Sequence, residues 1–252
     1  YRRKRDEQMV DLATIDPKSA EMRQIRGGDI SMIFQEPMTA FSPVHTIHNQ
    51  IAEMIQLHDP MDDAAARKRV VELLDLVGIP GPDERADDYA FQLSGGMRQR
   101  AMIAMALASK PRLLIADEPT TALDVTVQAR VLKLIQRLQR ELGLALMLIT
   151  HDLGVVAETT DRAAVMYAGR IVESAATEIL FANPRHPYTQ GLIRSIPELD
   201  TDQTRLDIIP GTVPDLRRLP IGCRFQSRCP LVDEHCREAA PPPVGITEDH
   251  LI

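Results

Sequence analysis

The sequence predicts an α/β fold, with buried strands in one sheet and helices packed back on it. Three apolar runs of strand length carry that reading: Asp29 to Phe34, Leu113 to Ala116 and Leu144 to Ile149. Each hands the chain to polar residues at its end, as a buried strand does. Helical periodicity fills the gaps, with Ile47, Ile51, Met54 and Ile55 on one face and Val127, Val131, Leu134, Ile135, Leu138 and Leu142 on another. The 252 residues, 44% hydrophobic and 26% charged, suit one globular α/β domain with a small appendage. No apolar stretch approaches the roughly 18–20 residues of a membrane-spanning helix, so any membrane role is expected to be peripheral. The net charge of −7 argues against a nucleic-acid surface, and the run Arg2-Arg3-Lys4-Arg5 reads as solvated, without a function.

Residues 1 to about 34 read as the edge of the sheet, delivering Gln35 at a strand exit. From Met38 to about Tyr89 the pattern is helical, a second face being Val70, Val71, Leu73, Leu74 and Val77, and Pro80-Gly81-Pro82 breaks it. Ser94-Gly95-Gly96 then opens a helix. A serine cap followed by two residues without Cβ leaves the first N–H groups open to an anion, a phosphate seat, although the same pattern also opens ordinary helices. That helix turns Met97, Ala101, Met105 and Ala108 inward and ends near Lys110-Pro111, with Arg98 and Arg100 on its solvated face. The strand Leu113 to Ala116 delivers Asp117 and Glu118 and is stopped by Pro119. Adjacent carboxylates repel, which a metal ion would offset. The helix after Asp124 ends at Gly143, and Leu144 to Ile149 is the next buried strand, with Thr150-His151-Asp152 at its exit. Arg162 to Tyr167 and Arg170 to Glu173 form a hairpin expected to finish the sheet. Beyond Phe181 come the proline-punctuated linker Asn183 to Tyr188, a short helix and a proline-rich tail.

Taken in order, these pieces resemble the ABC-transporter ATPases. Leu93 to Gln99 is similar to their signature, Leu113 to Glu118 to the Walker B strand, Gln35 to the Q-loop, Thr121-Ala122-Leu123-Asp124 to the D-loop and His151 to the H-loop. Met97, together with His186-Pro187-Tyr188 and the cysteine-bearing tail, narrows the resemblance to the ATP-binding subunits of oligopeptide, dipeptide and nickel importers. The roughly sixty residues between Gln35 and Ser94 fit a compact helical subdomain and are too few for a long inserted coiled coil.

The resemblance implies an ABC-type P-loop ATPase domain over residues 1–180, with a helical subdomain at about 38–92, and a C-terminal extension over 181–252. It implies ATP and Mg2+ as cofactors. Asp117 and Gln35 would hold the magnesium, Glu118 would polarise the attacking water and His151 would contact the γ-phosphate. Ser94, Gly95, Gly96, Met97 and Asp124 would meet nucleotide held by a second ATPase subunit, in a homodimer or heterodimer. Further implied partners are integral membrane permease subunits and, indirectly, an extracytoplasmic substrate-binding protein, with the chain at the cytoplasmic face of the membrane. A soluble ABC ATPase without permeases and a non-catalytic binding module are the alternatives. The sequence contains no Gly-x-x-x-x-Gly-Lys-Ser/Thr and begins at Tyr1, so it is expected to be N-terminally truncated and, as given, to hydrolyse little ATP.

Cys223, Cys229 and Cys236 are the only cysteines. Their odd number, without a signal peptide, favours a reduced setting. They fall within one irregular segment, and zinc pairs usually sit two to four residues apart, closer than any pair here. The spacing, with Cys229-Pro230, leans toward a [4Fe–4S] cluster, whose fourth ligand would be a cysteine beyond Ile252 or His235.

Overall fold

The computed structural model describes residues 1–2, 8–36, 40–121, 123–196 and 208–252. Arg3, Lys4 and Arg5 of the basic run, Met38 at the start of the expected subdomain, and Ala122 lie outside the described residues. The chain divides into two compact units, Tyr1–His151 and Asp152–Ile252.

In the first unit three strands form a parallel sheet in the order β1 (Ile30–Ile33), β2 (Leu113–Asp117), β3 (Ala145–Ile149). Ile33 lies opposite Ala116, and Asp117 opposite Ile149, so the three strands exit at one edge. Ser31, Ile33, Leu114 and Ala116 are buried, and Leu146 and Leu148 pack against the same core. The opposite face is open at β3, where Met147 and Ile149 are 51% and 45% exposed. The expected buried strand Leu144 to Ile149 is therefore half-buried. Period-2 alternation sends Ala145, Met147 and Ile149 to the face that the helices of this unit do not cover.

Most of the helices that close the core start on a side-chain cap. Following α1 (Ala20–Ile25), α2 (Ile47–His58) is capped by Thr46 and α3 (Asp63–Leu76) by Asp62. The expected break at Pro80-Gly81-Pro82 begins a helix as well: Gly81 is left-handed at φ +60° and Pro82 opens α4 (Pro82–Ala86). Ser94 caps α5 (Gly95–Leu107), and Asp124 caps α6 (Val125–Leu142), which ends on left-handed Gly143. The expected inward face of α5 holds, with Ala101 and Ala108 buried and Met97 and Met105 packed against the core. Gln99, Met102, Ile103, Ala104, Ala106 and Leu107 are buried too, so α5 is a central helix rather than an amphipathic one. Arg100 likewise departs from the solvated face expected of it, since its guanidinium donates to the carbonyls of Val77 and Gly78.

In the second unit α7 (Leu153–Thr159) precedes the expected hairpin, β4 (Arg162–Tyr167) and β5 (Arg170–Ala176). Its turn is built on positive φ at Ala168 and Gly169. The hairpin does not finish the parallel sheet. Its free edge, β5, pairs with β7 (His250–Leu251), which pairs with β6 (Gly245–Thr247), giving a separate sheet β4-β5-β7-β6. Hairpin and tail share this sheet, and the boundary expected near residue 180 lies inside the second unit, within α8 (Thr177–Ala182), which α9 (Pro187–Arg194) follows. The short α10 (Glu234–Glu238) lies in the tail.

The His186-Pro187-Tyr188 motif has a local physical reason. Nδ1 of His186 accepts the Tyr188 N–H at 3.1 Å as the cap of α9, and Pro187 takes the first helical position, where no N–H is needed. Burial holds His186 below its ordinary pKa against the opposing pull of Glu173, which keeps the acceptor nitrogen unprotonated. Tyr188 closes an aromatic cluster with Tyr167 and Phe225, at centroid distances of 4.7 and 5.5 Å. Glu173 fastens this cluster to the sheet. Its buried carboxylate accepts the N–H groups of Arg185 at 2.8 Å and His186 at 2.9 Å and lies 2.8 Å from Nε2 of buried His250. Burial alone would raise its pKa, but the nearby Thr189 hydroxyl, together with the bonds from Arg185, His186 and His250, holds it below the usual carboxylate range.

Glu173→Ala is expected to destabilise the second unit by about 2–5 kcal/mol at neutral pH, since three donors lose a buried partner. A depressed folded pKa stabilises above the unfolded value, so the wild-type advantage is expected to be full at pH 7 and to vanish as pH falls through the acid range. Urea unfolding followed by the near-ultraviolet signal of Tyr167 and Tyr188 checks both.

Candidate functional site

The exits of the three parallel strands carry the candidate site. Gln35 stands two residues past β1, Glu118 one residue past β2 and His151 two residues past β3. The carboxyl edge of such a sheet is where α/β proteins bind ligands. Glu118, on the central strand, takes up both neighbours. Its Oε2 accepts from Gln35 Nε2 at 2.9 Å and from the Thr121 hydroxyl at 2.7 Å, while its Oε1 lies 3.0 Å from His151 Nδ1.

The backbone explains how a residue just past a strand reaches both sides. Glu118 has φ +43°, the left-handed region that non-glycine residues rarely enter. Its N–H donates to Ile149 O at 2.9 Å, and its carbonyl accepts the Thr121 N–H at 3.1 Å, closing a tight turn through Pro119. Asp117 keeps the strand alternation, on the face opposite buried Leu114 and Ala116. The adjacent carboxylates thus leave the strand differently, and the donors around Glu118 hold its charge.

The Thr121 hydroxyl, and next His151, lower the Glu118 pKa; partial burial opposes them and Gln35 adds to the lowering. The carboxylate is therefore ionised at neutral pH and acts only as an acceptor. His151 bonds to it by carrying a proton on Nδ1, which turns Nε2 outward on a side chain that is 80% exposed. Thr121 is the participant that sequence reasoning missed. Its signal was the three-residue spacing from Glu118 across a proline turn.

Ser94, Gly95, Gly96, Met97 and Asp124 form a second group. Ser94 Oγ accepts the Met97 N–H at 3.3 Å, and Asp124 Oδ1 accepts the Val127 N–H at 2.9 Å. A Cβ on Gly95 would meet nothing within 4 Å, whereas one on Gly96 would come 3.1 Å from Val127 Cγ1, so the starts of α5 and α6 abut. Gly95 therefore leaves the opening N–H groups of α5 approachable, as an anion seat requires. No hydrogen bond joins Ser94, Gly95, Gly96 or Met97 to Gln35, Glu118 or His151, so the predicted residues form two groups.

Among the described residues no three His, Cys, Asp or Glu side chains are arranged to hold a metal ion. A nucleotide-bound magnesium needs fewer, and Asp117 with Gln35 offers oxygen donors of the kind it takes. The cysteines are free and half-buried. The Cys223 N–H donates to Cys236 O at 2.8 Å, an approach that requires Gly222, where a Cβ would stand 2.4 Å from that oxygen. Burial pushes the Cys229 thiol up, and Cys223 and Cys236 add to the shift. His235 is 94% exposed and lies beside Asp233. The three thiols share a region without forming a ligand set.

Residues 3–121 match the ABC transporter family, and residues 172–236 match the oligopeptide/dipeptide transporter C-terminal region. The chain is 55% identical over 249 residues to a putative peptide import ATP-binding protein of Brucella ovis, covering 96% of this chain and 73% of that protein. It is 50% identical to the dipeptide transport ATP-binding protein DppD of Haemophilus influenzae, covering 92% and 70%. Among solved structures it resembles the dimeric ATP-binding cassette MJ0796 in a post-hydrolysis state bound to ADP and Pi, with a TM-score of 0.58 and 27% identity over 67% of this chain and 70% of that one.

Thr121→Val is expected to move the Glu118 pKa up toward its ordinary value, and His151→Ala to move it up by less. Carboxyl-carbon NMR titration of Glu118 measures both, and an unchanged value in Thr121→Val would contradict the hydrogen-bond assignment.

Proposed function

The chain belongs to the ABC-transporter ATP-binding proteins of the peptide-import type, and on that premise we propose that it hydrolyses ATP to power a membrane importer of peptides. The observation that carries the site assignment is Glu118 at the end of the central strand, held between Gln35 and His151. Magnesium, when bound with ATP, supplies neutralisation of phosphate charge, and Asp117 and Gln35 are the residues that would hold it. Glu118 is the group that draws a proton from the attacking water. Its pKa is low, so its contribution comes from being ionised and fixed in place. Gln35 and His151 occupy acceptor positions on Glu118 that such a water needs. Catalysis on this reading has them turn to the magnesium and the γ-phosphate, leaving the carboxylate to the water.

Ser94, Gly95, Gly96 and Met97 are assigned to nucleotide on a second ATPase subunit, and Asp124 to the same interface. What supports this is their separation, within one chain, from the Glu118 group. Permease subunits and the cytoplasmic face of the membrane complete the proposal, with an extracytoplasmic substrate-binding protein acting through the permeases. Among the described residues no helix is long and apolar enough to cross a membrane. Nickel is the neighbouring substrate class. For the tail, a [4Fe–4S] cluster on Cys223, Cys229 and Cys236 is the reading supported by spacing and by the Cys223–Cys236 backbone contact; it requires the thiols to converge and a fourth ligand to join them.

Joined to a Gly-x-x-x-x-Gly-Lys-Ser/Thr loop, Glu118→Gln is expected to lower kcat for ATP by about 10²-fold or more with affinity little changed, because an amide fills the site without accepting the proton. Turnover at the wild-type rate would remove Glu118 from the mechanism. Co-purification with integral membrane permeases separates an importer subunit from a soluble ATPase. Iron and sulfide analysis after anaerobic purification tests the tail: iron with a visible absorption band is expected, and a colourless protein with free thiols or zinc would reject the cluster.

A further inference from the structure

A helix leaves its last carbonyls without intrahelical donors. At the end of α3 the Gly78 N–H donates to Asp75 O at 2.8 Å and the Ile79 N–H to Leu74 O at 2.9 Å, the paired bonds of a Schellman end on left-handed Gly78. The next three carbonyls are taken by arginines from two other helices. Arg137 of α6 reaches Leu76 O at 2.6 Å, and Arg100 of α5 reaches Val77 O at 3.1 Å and Gly78 O at 3.0 Å. Two cations thus meet the negative end of α3, with Glu141 3.9 Å from Arg137 as a further partner. Gly78 is favoured by its φ of +75°, and a Cβ there would stand 2.8 Å from Arg100 Nη1, so the guanidinium would have to shift.

The helices that send these arginines begin at Ser94 and Asp124, and their starts touch where Gly96 meets Val127. The helices α5 and α6 are therefore joined to each other at their beginnings, and each is fastened further along to the same end of α3. We propose that Arg100, supported by Arg137, is a positioning residue for ATP hydrolysis, fixing the tilt of α5 and so the placement of Ser94–Met97; this rests on reading that turn as the one that meets nucleotide. Arg100 itself makes no hydrogen bond to Gln35, Glu118 or His151. It acts through the helix it anchors.

Arg100→Met keeps the aliphatic stem and removes the donors. Hydrogen exchange on the chain as it stands is expected to accelerate about tenfold or more at the amides of Met97 and Arg98, with those of Leu114–Ala116 unchanged, and Arg100→Lys to restore part of the protection. In the assembled importer Arg100→Met is expected to lower kcat on the order of 10²-fold with KM for ATP nearly unchanged. Unchanged exchange, equal acceleration throughout residues 1–151, or a loosened turn with undiminished kcat would each overturn the proposal. Should Arg100→Met fail to fold, Arg137→Met probes the same junction, with faster exchange expected at Val77–Ile79 and the same loss of kcat; intact kcat there counts against it. A wild-type importer without ATP turnover would reject the ATPase reading instead, and the exchange result would still decide the positioning.

Discussion

The negative charge of Glu118 at the exit of the central strand is the constraint on which the first unit is arranged. A carboxylate there needs donors, and the three-stranded register supplies them by ending β1, β2 and β3 at one edge, so that Gln35 and His151 arrive from either side and Thr121 from the turn. The left-handed φ of Glu118 is part of the same arrangement: it turns the residue out of the strand alternation that Asp117 still follows. Two neighbouring acids thus leave the strand in different directions, as the proposed division between a cation for Asp117 and a water for Glu118 requires.

That register holds because the sheet rests on a helix buried nearly all round. The helix α5 contributes Ala101, Met102, Ile103 and Leu107 to the core, and its polar beginning carries Ser94 and Gly95 outward. Its position is in turn fixed by the end of α3, through Arg100. Hydrophobic burial is non-directional, whereas hydrogen bonds to named carbonyls have a direction. The second unit uses the same device, since the Glu173 carboxylate ties the hairpin, the His-Pro-Tyr segment and the last strand together where apolar area is scarce.

Much of this was legible in the sequence because it depends on local chemistry. Serine and aspartate before helical runs marked the caps of α5 and α6, Gly143 marked the end of α6, and short apolar runs ending in polar residues located β1, β2 and β3 together with Gln35, Glu118 and His151. Long-range pairings were not legible. The strand β7 is only His250 and Leu251, too short for an alternation to show, so the hairpin was assigned to the wrong sheet. The exposure of Met147 and Ile149 depends on which face the helices cover, and an apolar run looks the same either way. Arg100 read as solvated because a guanidinium that caps another helix carries no periodic mark. The proline turn between Glu118 and Thr121 shows in the spacing, but the side-chain bond that it allows does not.

The most direct test of the account is a high-resolution structure of the protein trapped with a non-hydrolysable ATP analogue and magnesium. It should show Gln35 and His151 released from the Glu118 carboxylate and turned toward the magnesium and the γ-phosphate, with a water hydrogen-bonded to Glu118 and in line with that phosphate. A γ-phosphate bound away from the carboxyl edge of β1, β2 and β3, or a Glu118 carboxylate still closed on Gln35 and His151 with no water beside it, would contradict the account.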